Sequence, residues 1–92
     1  MKWIEIIEVR SVGNTQKQLE THLQEFVDQV EKKTNKQTAK LYTRMAIDTD
    51  FGIHLFHDSS KVKNSGSSLG IRLVSALKFY GLVNHTIWIE KQ

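Results

Sequence analysis

The spacing of apolar residues switches between strand and helix periods along this chain, and the order of the switches leaves few folds open. Residues 3–10 are rich in β-branched and aromatic side chains, with apolar groups on both alternating faces, as in a strand central to a sheet. Leu19, Leu23, Phe26, Val27 and Val30 then recur at i, i+4, i+7, i+8 and i+11, which is one helical stripe. Ser11-Val12-Gly13-Asn14 breaks the strand, and Thr15-Gln16-Lys17-Gln18 offers a T-x-x-Q cap, with Asn14 as the alternative. This helix is predicted to end near Lys33, before Thr34-Asn35. Residues 40–48 and 52–58 return to strand spacing. Leu69, Leu73, Ala76, Leu77 and Tyr80 give a second helix over 68–80, with Gly81 as a left-handed cap. Leu82 to Lys91 alternates again.

The order is β-α-β-β-α-β. Two right-handed crossovers turn it into a ferredoxin-like α+β fold: a four-stranded antiparallel sheet with both helices on one face. Ninety-two residues make a single domain, 1–92, whose folding buries only about 60–65% of the unfolded chain's surface. The chain has no cysteine, so neither a disulfide, a thiolate metal site nor a thiol nucleophile is available. His54 and His57 lie three apart on a strand and face opposite ways, so no metal site is expected, and no cofactor. The formal charge is +3, with Lys32, Lys33, Lys36 and Lys40 near the first helix's end, where cations complement the helix dipole. No segment approaches the roughly 18 apolar residues of a membrane span, and residues 1–5 carry no apolar leader pattern. A cytoplasmic location without membrane contact is expected.

The strands at 40–48 and 52–58 flank Thr49-Asp50-Phe51, which is predicted to form a three-residue hairpin loop. Pairing Asp48 with Gly52 places Met45, Ile47, Ile53 and Leu55 on one face and Tyr42, Arg44, His54, Phe56 and Asp58 on the other. With Ile4, Ile6, Ile87 and Ile89 also assigned to the helices, the helix-free face receives Trp3, Glu5, Ile7, Tyr42, Arg44, His54, Phe56, Asp58, Trp88 and Glu90. An aromatic surface of this kind calls for a ligand or another subunit.

In element order, length and the aromatic character of its bare face, the chain resembles the dimeric α+β barrel superfamily, whose best-known members are the antibiotic-biosynthesis-monooxygenase-like proteins. The resemblance covers the whole chain at the level of architecture. It implies a homodimer packed through the sheet faces and enclosing a small, often aromatic, molecule. A cofactor-independent monooxygenase-like activity is the leading expectation. The alternative is a non-catalytic ligand-sensing or protein-interaction module on the same scaffold.

Within such a barrel His54 can act as a base toward a phenolic substrate, and Arg44 can hold the oxyanion formed. Trp3, Tyr42, Phe56 and Trp88 are the expected ligand-binding residues. Against this stands a plain interface role, with Arg44 paired to Glu5 or Glu90. Residues 58–67 form a polar loop expected to be mobile. At its end Lys61, Lys63, Ser67 and Ser68 form a candidate anion site at the second helix's N-terminus, with a helix cap as the simpler reading. Phe51 to Phe56 distantly resembles the RNA-reading strand of the RNA-recognition-motif family. The basic residue and glycine that should precede Phe51 are absent, so nucleic acid is not an expected partner.

Overall fold

The computed structural model describes residues 1–34 and 38–91; Lys36 and Asn35 of the predicted helix end lie outside this set. Its elements are β1 (Lys2–Ser11), α1 (Gln16–Thr34), β2 (Ala39–Arg44), β3 (Ile47–Asp58), α2 (Ser68–Leu77) and β4 (Gly81–Ile89). The four strands form one antiparallel sheet in the order β2-β3-β1-β4, the ferredoxin-like arrangement expected from the periodicities. No helix is long and apolar enough to cross a membrane.

Leu19, Leu23 and Val27 of α1 and Leu73 and Leu77 of α2 pack with Ile7, Val9, Phe51, Ile53 and Leu55, so one core lies between the sheet and both helices. The Thr15 carbonyl accepts the first α1 bond from Leu19 (2.9 Å), while its hydroxyl donates to the Val12 carbonyl (3.0 Å). Ser67 caps α2 by accepting from the Gly70 N–H (3.0 Å). At the other end α2 stops sooner than predicted, with Lys78 as a right-handed cap, and Gly81 is the first residue of β4 rather than a left-handed cap.

Two placements differ from the sequence reading. In β1 it is Trp3, Glu5, Ile7 and Val9 that are buried toward the helices, leaving Ile4 and Ile6 on the open face. Each set contains large apolar groups, so residues 3–7 alone do not choose between them. Continuing to Ser11 does, because the even set adds Glu8 and Arg10 whereas the odd set adds Val9.

The hairpin differs too. Tyr42 pairs with Gly52 instead of Asp58, and the chain turns at Met45-Ala46, with Ala46 at φ +62°. Met45 is 92% exposed in that turn and Ile47 is partly exposed, so neither joins the core. Thr49, Asp50 and Phe51 belong to β3. Phe51 is buried, the Thr49 carbonyl accepts from the Ser11 hydroxyl, and Asp50 is held by two arginines. These anchors outweigh the turn propensity of Thr-Asp. Because the slip is an even number of residues, Ile53 and Leu55 still face the helices and Tyr42, His54 and Phe56 still face away.

Candidate functional site

The helix-free face is built from rows of cross-strand neighbours. Phe56, Ile4 and Trp88 lie side by side, followed by His54, Ile6 and Thr86, then Gly52, Glu8 and Asn84, then Asp50, Arg10 and Leu82. On the β2 side Lys40 stands opposite His54 and Tyr42 opposite Gly52. One end is therefore apolar and the other charged. Trp88 (57%), Tyr42 (44%) and Phe56 (37%) remain substantially exposed there.

Two hollows open onto this face. The smaller, of about 400 Å³, is bordered by Glu8, Arg10, Tyr42, Arg44, His54 and Asn84. Its floor is Gly52, whose missing side chain leaves the space between Tyr42 and Glu8 unfilled. The larger, of about 790 Å³, is lined by the Phe56–Ile4–Trp88 row together with Trp3, His57 and Ile89 from the other side of the strands, and by Lys2, Asp58 and Glu90. Both fall within the size range of small-molecule sites.

His54 and Arg44 border the same hollow, but their states differ. Burial pushes the His54 imidazole below its ordinary pKa, against the opposing charge of Glu8, which favours the neutral ring with one nitrogen able to accept a proton. Its ring lies 4.4 Å from that of Tyr42. Arg44 is not free: its guanidinium donates to Asp50 (3.0 Å), which also takes a two-pronged contact from Arg10 (3.0 and 3.1 Å). Hydrogen bonds from Arg10, then Arg44 and Thr49, overcome burial and pull the Asp50 carboxyl down to about 2. Neither Glu5 nor Glu90 is the partner of Arg44.

Trp3, expected on this face, belongs to the helix side of β1. It is 4% exposed, its indole stacks on His57 (centroids 4.1 Å apart), and its N–H donates to the Ser59 hydroxyl (2.9 Å). Of the expected ligand-binding residues, Tyr42, Phe56 and Trp88 share the open face, and Trp3 borders the larger hollow together with Phe56 and Trp88.

Trp3 belongs to a second constellation, which sequence reasoning missed. Glu5 has no exposed surface, yet its carboxylate accepts from His57 Nε2 (2.6 Å), His85 Nε2 (2.9 Å), the Ser67 hydroxyl (2.5 Å) and the Ser67 N–H (3.0 Å). An ionised carboxylate only accepts, so both imidazoles carry their proton on Nε2. Burial would raise the Glu5 carboxyl, but the bonds from Ser67, His57 and His85 outweigh it and hold its pKa below the ordinary value. Gly66 and Gly70 leave the room: a Cβ at either would collide with the carboxylate. The traces in sequence are the parity of β1 and the two glycines bracketing the α2 cap.

At the expected anion site, Ser67 at the N-terminus of α2 donates through its hydroxyl and N–H to the chain's own Glu5. Ser68, Lys61 and Lys63 are exposed. The loop between β3 and α2 is tied at both ends, by Ser59 to Trp3 and by Ser67 to Glu5. Among the described residues no group of three or more His, Cys, Asp or Glu can hold a metal ion.

Because folding lowers the pKa of both Glu5 and Asp50, the native state binds fewer protons than the unfolded chain in acid. Their stabilisation is complete above their unfolded values, 4.5 and 3.8, and is lost as pH falls through the lower folded values. Urea-unfolding free energies should therefore drop steeply below pH 4.5, and Glu5→Gln should flatten that drop. A Glu5→Gln profile parallel to wild type would contradict the assignment.

No family model matches the chain, no curated protein matches it, and no solved structure matches it.

Proposed function

We propose that the helix-free face is the working surface: a second copy covers it, as in the dimeric α+β barrel architecture, and the enclosed space holds a small aromatic or amphipathic molecule. The observation that carries this reading is that both hollows are bordered by exposed aromatics of that one face, Tyr42 in the smaller and Phe56 and Trp88 with Ile4 in the larger. The apolar row supplies area for stacking. His54, Tyr42, Glu8 and Asn84 supply the few polar groups that orient a ligand.

A neutral His54 gives the site a base within reach of a ligand hydroxyl, which fits a monooxygenase-like reaction on a phenolic substrate. Arg44 fits less well, since Asp50 already neutralises the cation meant to hold the oxyanion. That pairing favours the second reading, a binding or sensing module without turnover.

With 1-naphthol as the probe, wild type should bind measurably in calorimetry, and Trp88→Ala should bind about tenfold more weakly, about 1.4 kcal/mol. Equal affinity of the two would contradict the reading. Oxygen uptake with product formation, abolished in His54→Ala, would select the enzyme; binding without product would select the module.

A further inference from the structure

A four-stranded sheet has two edges, and this one protects them unequally. The β2 edge is six residues long, carries Lys40 and Arg44, and is broken by a bulge at Thr43/Arg44. All three features discourage pairing with another strand. The β4 edge has none of them. It runs nine residues, Gly-Leu-Val-Asn-His-Thr-Ile-Trp-Ile, without Lys, Arg, Asp, Glu or Pro, and its register with β1 is unbroken. Its apolar side chains are left open, with Leu82 at 73% and Trp88 and Ile89 each at 57% exposure.

The hydrogen-bonding phase of that edge is fixed. The Glu90 N–H donates to the Lys2 carbonyl, and the Val12 N–H to the Tyr80 carbonyl. In an antiparallel ladder these bonds aim the backbone groups of Leu82, Asn84, Thr86 and Trp88 at β1. Gly81, Val83, His85, Ile87 and Ile89 therefore present their N–H and C=O groups outward along about 30 Å of edge.

We propose that β4 pairs with β4 of a second copy, antiparallel about a two-fold axis at His85, joining two sheets into one of eight strands. The register follows from self-complementarity. Centred at His85, Gly81 meets the second copy's Ile89, Val83 its Ile87, Leu82 its Trp88 and Asn84 its Thr86. Each exposed Leu82 is thereby covered by an exposed Trp88, at positions without a direct backbone bond, where side chains approach most closely. Moving the axis to Thr86 would set Trp88 against Asn84 and Leu82 against Glu90, mixing apolar with polar groups. This interface is distinct from the face-to-face contact proposed above and stands independently of it. It leaves that face open and doubles its length.

The chain's lack of cysteine makes the test clean. Asn84→Cys and Thr86→Cys are prepared separately, then mixed under mild oxidation. In the proposed register Cys at 84 lies about 4.5 Å, Cα to Cα, from Cys at 86 of the other copy, within disulfide range. Two copies of the same variant are held about 8 Å apart at those positions, beyond it. A cross-linked dimer in the mixture, and not in either variant alone, is the expected result. Wild type should also associate in a concentration-dependent way at micromolar concentration, as a dimer through this edge alone or a tetramer where the face-to-face contact forms as well, with slowed amide exchange at Val83, His85 and Ile87. A monomeric wild type with those amides unprotected overturns the proposal. So does a dimer whose mixture shows no more cross-linking than the single variants, which would place the association on the helix-free face or elsewhere.

Discussion

Replacing Glu5 with alanine is expected to destabilise the fold by about 3–5 kcal/mol, the usual consequence of removing one member of a buried, hydrogen-bonded charged group. The loss has separate sources. The carboxylate satisfies His57, His85 and both donors of Ser67, and without it these groups are left facing an empty, largely enclosed space. The α2 N-terminus also loses the anion that complements its dipole. In a domain whose total stability is about 5–15 kcal/mol, such a change removes a large share of it. Glu5→Gln keeps the shape and one acceptor, and should lose less. Urea denaturation at pH 7 measures both. A loss below about 1 kcal/mol for Glu5→Ala would mean that the network is a passive contact rather than the clamp between β1, β3, β4 and α2.

Gly81→Ala is expected to destabilise by about 2–3 kcal/mol, the upper range for overpacking. The reason is not backbone conformation, since the positive-φ glycines are Gly13 and Gly66. It is proximity: a Cβ at Gly81 would run into the carbonyl of Arg10 on the neighbouring strand, a backbone atom that cannot swing aside. The β1–β4 ladder must open locally, next to the pair Ser11–Gly81. Gly13→Ala meets no atom within 4 Å, and should lose only the strain of its φ of +71°. Thermal unfolding of the two variants separates the effects. A Gly81→Ala midpoint no lower than that of Gly13→Ala would contradict the close-approach account.

These residues also mark where the sequence was readable. The helix stripes of α1 and α2 were legible because each repeats the same apolar spacing over several turns, and Leu19, Leu23, Leu73 and Leu77 are all buried. The face of β3 was legible because Ile53 and Leu55 alternate with His54 and Phe56. The hairpin register was not, since Thr49-Asp50 looks like a turn until Arg10, Arg44 and Ser11 are seen holding it in a strand. The parity of β1 hid Glu5, because a carboxylate counts as a surface residue unless its partners are known. Those partners, His57, Ser67 and His85, lie 52, 62 and 80 positions away. Tyr42, His54, Phe56 and Trp88 lie on the expected face, since the hairpin slip preserves parity and Trp88 of β4 stands beside Ile4, although β4 runs Gly81–Ile89 and Ile89 stays exposed instead of joining the core.

Small aromatic molecules are expected to bind on the helix-free face, and chemical-shift mapping reads that binding residue by residue. Isotope-labelled protein titrated with 1-naphthol should show saturable shifts at Ile4, Ile6, Tyr42, His54, Phe56 and Trp88. Resonances of Leu19, Leu23 and Leu73, beneath the helices, should stay in place. Saturable shifts confined to Glu5, His57, Ser67 and His85 would put the site on the opposite side of the sheet and contradict the account, as would the absence of any saturable shift.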